Sequence, residues 1–300
     1  MARPRPPRRE IAAEKSDSSP GLARGVLYIV ATPIGNLGDL SARARAVLNS
    51  CDLVAAEDTR HASQLLKTVG LTKRLVSAHE HNEAQRATEI LAALDAGQSV
   101  ALVSDAGTPL ISDPGYRIVR SVASAGYEVR AVPGPCAAIA ALSIAGIPSD
   151  RFIFEGFLAP KSAARRARLA ELAAEARTLI VYEAPHRLEE TLLDMSETLG
   201  PEREAAVARE ITKAFETVYR GTLAELGRRV QGDPDMKRGE IVIVVAGVAE
   251  RAPQEERELE RVLAELLKAL PVSQAADIAA RITGANRNRA YKLALQSAKS

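Results

Sequence analysis

The chain has 300 residues, room for two ordinary domains. Apolar residues make up 46% of it, enough for packed cores, and no run of 18 or more uncharged apolar residues occurs, which excludes a helical membrane span. The net charge of +2 is unevenly spread: residues 1–24 and 271–300 are net basic and the stretch between them is net acidic. That pattern suits a polyanionic partner held by appendages, and equally suits plain solubilising arms.

Residues 1–24 are proline-rich, basic and poor in apolar side chains, the composition of a disordered tail. No apolar stretch of a secretory signal follows them, so the expected compartment is the cytoplasm. Cys51 and Cys136 are the only cysteines; they lack metal-ligand spacing and are too few for a disulfide framework.

The fold is expected to begin at "GVLYIVATPIGN", with a buried strand over Val26–Ala31 and a loop from Thr32 to Asp39. A helix follows in "DLSARARAVLNSC", its inner face read as Ala42, Ala46 and Val47. "DLVAAEDTR" is a second strand and loop, and "HASQLLKTVG" a helix that Gly70 can end. "LVSAHEHNE" is a third strand with a polar end, "AQRATEILAALDAG" a helix, "SVALVSDAG" a fourth strand, "YRIVRSVASAG" a helix and "YEVRAVPGP" a fifth strand. Strict alternation of strand and helix predicts an α/β domain with a parallel sheet covered on both faces, over residues 25–132.

From Pro133 the rhythm changes: a helix "CAAIAALSIAG", strands "RFIFEGF" and "TLIVYEAP", a helix "RLEETLLDMSETLG", then strands "EAAVARE", "ETVYRGTL" and "GEIVIVVAGV". This predicts a second α/β domain with a mixed sheet over 133–250. Residues 251–300 read as a charged linker and a helical appendage of two short helices split at Gly284.

In open parallel sheets ligands sit beyond the carboxyl ends of the strands. "VALVSDAGTPLISDPG", Val100 to Gly115, is a buried strand that breaks into turn-forming residues at such an end, so it is a candidate ligand loop. No G-x-G-x-x-G follows the first strand and no G-x-x-x-x-G-K-[ST] occurs, which disfavours a dinucleotide or a triphosphate. No H-x-x-x-H or C-x-x-C occurs either, and no bound metal is expected.

"LYIVATPIGNLGDLSARA", "AEDTRHASQLL", "SAHEHNE", "VSDAGTPLISDPGYRIV", "VPGPCAAIAALSIAGIP", "FEGFLAPK", "YEAPHRL" and "AREITK" come in that order. Together, from about Gly25 to Val248, they resemble the small-subunit ribosomal RNA methyltransferase I family, of the tetrapyrrole-methylase fold. The resemblance implies an enzyme that uses S-adenosylmethionine (SAM), held in a cleft between two α/β domains. It implies methylation of the ribose 2′-hydroxyl of a decoding-region cytidine in 16S rRNA of the small ribosomal subunit, and a homodimer. Position by position, it carries cofactor contacts onto Pro33 and Ile34 in the first loop and onto Asp105, Ala106, Gly107, Thr108, Ile111 and Ser112 in the fourth. Cys136 and Ala137 follow after "VPG", and Glu183 and Ala184 lie at the strand end that closes over the adenosine. SAM has no phosphate, and backbone groups of glycine- and proline-shaped loops can serve its methionine tail, ribose and adenine. Asp105 could accept from the amino group or a ribose hydroxyl; the plainer alternative is that Asp105 and Asp113 brace their own turns.

Methyl transfer to an alcohol is an in-line displacement that needs alignment and, for a ribose hydroxyl, a proton acceptor. Candidates lie in "AEDTRH" and "HEHNE"; Glu57, His79 and Glu83 are favoured as catalytic. Asp58 and Asn82 could instead cap the following helices, and His79 and His81 share one face if the third strand extends that far. Arg60, Lys161, Arg165, Arg166, His186, Arg187, Arg287 and Arg289 are candidate RNA contacts, read against the alternative of solvated helix faces. With 3% aromatics and no Trp, recognition through phosphates and RNA shape is expected over base stacking. Other readings of the whole are a methylase of the same fold acting on a tetrapyrrole or a protein, and a non-catalytic RNA-binding assembly factor. The C-terminal helices read as a helix-turn-helix, a dimer element or a ribosome-docking appendage.

Overall fold

The structure is a computed structural model that describes residues 22–248 and 254–297. Most of the expected disordered tail, and part of the expected linker, therefore lie outside the described residues. The chain divides into two compact units: one runs through Ala140 and takes in Glu210–Thr217, the other holds Ala141–Arg209 and Val218 onward.

In the first unit, β1 (Val26–Val30), β2 (Leu53–Ala56), β3 (Leu75–Ser77), β4 (Val100–Val103) and β5 (Glu128–Val132) form one sheet in the order β3-β2-β4-β1-β5. Every pairing in it is parallel, with Leu27 opposite Val100 and Val54 opposite Ala101. The central strands β1, β2 and β4 are apolar without alternation because both faces are covered. Val26, Tyr28 and Val30 pack with α1 (Ala42–Ser50) and α2 (Thr59–Thr68), through Ala44, Val47, Leu48, Ala62 and Leu66. Leu27, Val100 and Leu102 pack on the other side with α3 (Glu83–Asp95) and α4 (Tyr116–Ser124), through Ile90, Leu94, Ile118 and Val122. The inner face of α1 is thus Ala44, Val47 and Leu48; Ala42 and Ala46, expected inside, are exposed. Alanine gives weak phase information, and the Ser41 side chain, capping the Ala44 N–H at 3.0 Å, starts the helix so that Ala44 turns inward.

The first unit extends past the expected border at 132–133, into α5 (Ala137–Ala145). The turn after β5 stays with it because the Thr108 hydroxyl donates to the Pro135 carbonyl at 2.9 Å. Glu210–Thr217 joins it from far along the chain: the Thr212 hydroxyl donates to Asp39, and the stem of Lys213 fills the space beside Gly35.

The second unit holds a mixed sheet, as its irregular pattern predicts, in the order β6-β7-β10-β8-β9. β6 (Phe152–Phe157) runs parallel to β7 (Thr178–Glu183); β10 (Ile241–Val245) is antiparallel to β7 and to β8 (Glu204–Arg209), and β9 (Thr217–Thr222) is the far edge. α6 (Ser162–Glu171), α7 (Leu188–Leu199) and α8 (Leu223–Gly232) contribute Leu169, Leu192, Met195 and Leu226 to a core with Leu179, Val181, Val207 and Ile243. Helix α8 is absent from the sequence reading, although its start is legible. Thr222 and Glu225 form a capping box: the Glu225 N–H donates to the threonine hydroxyl at 3.2 Å, and the Thr222 N–H to the Glu225 carboxylate at 2.8 Å.

The appendage is a three-helix packet with its own core. α9 (Gln254–Leu266), α10 (Val272–Thr283) and α11 (Arg287–Ser297) meet through Leu259, Leu263, Ala276, Ala279, Ala290 and Ala294. Gly284, in the left-handed region at φ 73°, separates the last two as expected.

Candidate functional site

The loops leaving β1, β4 and β5 are tied together at the carboxyl edge of the first sheet. Thr32 and Gly107 exchange two backbone hydrogen bonds, 2.8 and 3.1 Å, in an isolated antiparallel bridge. Thr32 is fully buried, and its hydroxyl lies 3.4 Å from the Ser104 carbonyl and 3.5 Å from that of Gly107. Thr32 is not among the expected contacts, although a polar residue closing an apolar strand marks it. Gly107 sits at φ 84°, and a Cβ there would lie 3.3 Å from Ile34 Cγ2 and 3.7 Å from the Pro135 carbonyl oxygen. Ile34, Gly107 and the turn before Cys136 are therefore brought together.

The rest of the fourth loop holds backbone that L-residues rarely adopt. Leu110 has φ 74° and Ser112 φ 63°, at a cost of about 1–3 kcal/mol each, and such outliers gather at ligand clamps. Glu83 stabilises the loop from α3: buried, it accepts the Gly115 N–H and lies 3.9 Å from Arg117 Nε. That geometry makes Glu83 a clamp on the loop, in place of the free catalytic carboxylate expected of it. Asp105, Ala106, Ile111 and Ser112 are exposed on this loop, while Pro33, Thr108, Cys136 and Ala137 are half-buried beside it.

Beside these residues stands a set of acids with an imidazole. Asp58 N–H donates to Asp105 Oδ1 at 3.0 Å, and His61 Nδ1 lies 3.0 Å from Asp105 Oδ2. The Asp105 carboxylate therefore already has two protein partners. Glu57 is half-buried and accepts the Asp105 N–H; burial first, then the Asp105 charge, raise its pKa. Burial pushes Asp113 up to about 6, against a hydrogen bond from Ser104 and with the charges of Glu57 and Asp105 adding to the rise. Its Oδ2 is buried with no hydrogen-bond partner. Asp58 caps α2 by accepting the Arg60 N–H at 2.8 Å, and also binds the Arg60 guanidinium, which holds its carboxyl well below the usual range.

The third loop departs from its reading. β3 stops at Ser77, so His79 and His81 do not share a strand face; they stand in a turn with ring centroids 6.0 Å apart, edge to face. Asn82 supplies no side-chain cap to α3 and braces this turn instead, accepting the His79 N–H at 2.9 Å and donating to the Ser77 carbonyl at 3.1 Å. His79 is half-buried and its Nδ1 has no hydrogen-bond partner. Among the described residues no cluster suited to a metal ion occurs.

In the second unit the expected polar contacts are largely spoken for. Glu183 is buried: it accepts the Ala184 N–H at 2.7 Å and the Thr191 hydroxyl at 2.6 Å, and pairs with Arg187 at 3.1 Å. Its side chain locks the end of β7 to α7 and is not presented to a cofactor; Ala184 is half-buried beside it. Arg187 also donates to the Leu158 carbonyl at 2.8 Å, so it is a strut where an RNA contact was expected. Arg165, expected on the surface of α6, is fully buried, with Nε 2.6 Å from Asp194 Oδ2. Its spacing on α6 points it at α7. Arg166 is exposed and paired with Glu197, whereas Lys161 and His186 are exposed. Arg60, Arg287 and Arg289 are exposed as expected, Arg60 paired with Asp58 and Arg287 with Asp277.

The sequence of this chain is closely shared with known proteins. Proteins named ribosomal RNA small subunit methyltransferase I from Xylella fastidiosa (strain Temecula1), Pseudomonas aeruginosa and Escherichia coli O157:H7 are 54%, 52% and 49% identical to it, over 89%, 92% and 94% of this chain and 98%, 98% and 99% of theirs. The chain belongs to the ribosomal RNA small subunit methyltransferase I family. Within that family's architecture, residues 26–227 match the family model described as tetrapyrrole (corrin/porphyrin) methylases, and residues 253–298 the one described as the RsmI C-terminal HTH domain. The second match gives the α9–α11 packet the helix-turn-helix reading among those open from sequence. Solved structures with the same fold include the methyltransferase CobJ (TM-score 0.56, 21% identity, covering 76% of this chain and 96% of that one) and a diphthine synthase (TM-score 0.55, 16% identity, covering 74% and 90%). Among the described residues no helix is long and apolar enough to cross a membrane.

Proposed function

We propose that this methyltransferase transfers a methyl group from SAM to the ribose 2′-hydroxyl of a decoding-region cytidine in 16S rRNA of the small ribosomal subunit. The observation that carries the reading onto this chain is the Thr32–Gly107 bridge with its strained fourth loop, in a member of this family. The donor set fits a zwitterionic ligand that carries no phosphate. Gly107 leaves the backbone bare where three loops converge, and the exposed Ala106, Ile111 and Ser112 add one apolar wall with one hydroxyl. Pro33, Ile34, Ala106, Gly107, Thr108, Ile111, Ser112, Cys136 and Ala137 would hold the cofactor. When bound, SAM supplies a methyl group on a sulfonium that leaves readily as a thioether. This chain's share of the work is to align the ribose hydroxyl, exclude water and accept the hydroxyl proton.

Glu57, its pKa raised by burial, and His79, with an unpartnered buried Nδ1, are polar groups of the substrate side placed to align the ribose. Lys161, Arg166, His186, Arg60, Arg287 and Arg289 offer exposed contacts for RNA phosphates. A ribosomal substrate places the work in the cytoplasm, and the habit of the fold makes a homodimer the proposed assembly.

The test is methyl transfer from labelled SAM to small subunits taken from cells lacking this protein, read by nuclease digestion and nucleoside mass spectrometry. Label in 2′-O-methylcytidine is the expected result. Binding of SAM without transfer to subunits would move the acceptor to a tetrapyrrole or a protein, and absence of SAM binding would leave an assembly factor.

A further inference from the structure

Of all the side chains at the carboxyl edge of the first sheet, one pair has the geometry of a proton relay. His61 stands in the first turns of α2, its side chain 63% exposed. Asp105, from the loop after β4, lies 3.0 Å from Nδ1 of that ring. The carboxylate is itself fixed: its second oxygen accepts the Asp58 N–H at 3.0 Å, and its own N–H is held by Glu57. A carboxylate on Nδ1 sets the tautomer, because the proton sits between Nδ1 and the acid and Nε2 is left as the acceptor. The next residues after Asp105 are Ala106 and Gly107, the backbone proposed to receive the cofactor.

We propose that His61, oriented by Asp105, is the proton acceptor for the ribose hydroxyl. This rests on the rRNA reading above. As the hydroxyl oxygen forms its bond to the methyl carbon, the C–S bond breaks and its electron pair stays on sulfur. The hydroxyl proton passes to His61 Nε2, giving an imidazolium that Asp105 stabilises and that later releases the proton to solvent. His61 is the catalytic residue of this pair and Asp105 the positioning residue.

Five charged groups bear on the ring or its carboxylate: Asp105, Asp58, Arg60, Glu57 and Asp113, the last through the Asp105 charge. Asp105 raises the His61 pKa most, first by hydrogen bonding and then by its charge; Asp58 raises it further and Arg60 opposes them. Glu57 lies against Asp105 from the loop after β2. The acceptor must be neutral, so activity rises with pH through the His61 pKa. Removing the Asp105 charge lowers that pKa and moves the rise to lower pH.

The experiment follows His61 in three readouts. The chain has four histidines, so proton NMR resolves each ring, with His61 identified by its loss in H61Q. The expected results are a kcat for H61Q about 10²-fold or more below wild type, SAM affinity by calorimetry unchanged, and a wild-type pH profile whose inflection matches the His61 titration. In D105N both inflection and titration move to lower pH together. Equal rates for H61Q and wild type would overturn the proposal. So would an H61Q effect confined to KM with wild-type activity falling as pH rises, the behaviour of a protonated histidine that binds phosphate. A wild-type protein that binds SAM and leaves subunits unmethylated would overturn the rRNA reading itself, a failure seen before any variant is compared.

Discussion

The loops after β2 and β4 and the helix α6 are both rich in charge, and the structure spends that charge in opposite ways. On α6 the arginines meet carboxylates: Arg165 is fully buried against Asp194 of α7, its Nη2 3.5 Å from Glu190 and without a hydrogen bond there, Arg166 reaches Glu197, and Arg168 binds Glu155 and Glu171. At the strand ends, Asp113 Oδ2 and His79 Nδ1 are buried without hydrogen-bond partners, and His61 keeps one ring nitrogen for a partner outside the fold. The cause is geometric. Residues on a helix recur toward the same neighbour every three or four positions, so a basic run next to an acidic helix finds carboxylates for its charges. Loops at the end of a parallel sheet have no such neighbour and converge on an open edge. A run of arginines in sequence is therefore weak guidance to unpaired charge.

The largest effect that sharpens this contrast is predicted at Arg165. Arg165→Met leaves Asp194 buried without its closest cation and is expected to cost about 3–5 kcal/mol in chemical denaturation. Arg165→Met with Asp194→Leu should recover much of that loss, and SAM affinity of the folded protein should not change in either. A loss of RNA binding with unaltered stability would break the contrast.

Gly107→Val is the matching test at the other region. It forces a β-branched residue to φ 84° and sets its Cβ 3.3 Å from Ile34 Cγ2. Strain of about 1–3 kcal/mol concentrated in the loop predicts a ten- to hundredfold loss of SAM affinity by calorimetry. Unchanged affinity in a folded variant would remove Gly107 from the site.

The smallest effect is at Asp113. Burial raises its folded pKa to about 6, so the folded state holds a proton that the unfolded chain has already lost. Its ionisation therefore costs stability, with the cost absent below about pH 4, growing as pH rises, and complete above about pH 6. Asp113→Asn should match wild type at the acid end and be the more stable protein at pH 8, in denaturation midpoints taken across that range. A constant difference at all pH values would contradict a buried carboxylate with a raised pKa.

Much of this was legible in the sequence, for reasons that differ by region. The parallel sheet was readable because β1, β2 and β4 are apolar runs punctuated by glycine-closed helices, and the loop after β4 because Val100–Val103 breaks abruptly into Ser104 and Asp105. The face of α1 was misread because its alanines fit two phases and only the Ser41 cap decides between them. α8 was missed although Thr222 and Glu225 announce it. Arg165, Arg187 and Glu183 face inward because they meet Asp194, the Leu158 carbonyl and Thr191, partners 29, 29 and 8 residues away; only the Glu183–Arg187 pair has a local, i,i+4 spacing. Thr32 and the Asp105–His61 pair need the strand order β2-β4-β1 to come together, and that order is written nowhere in the chain.

The most direct test of the central claim, that the strand-end loops of the first unit form the ligand site, is amide hydrogen exchange read by mass spectrometry with and without SAM. The account predicts slower exchange on binding in peptides covering Thr32–Ile34, Asp105–Ser112 and Cys136–Ala137, with α6 unchanged. Protection centred on α6, with the Asp105–Ser112 loop exchanging as before, would contradict it.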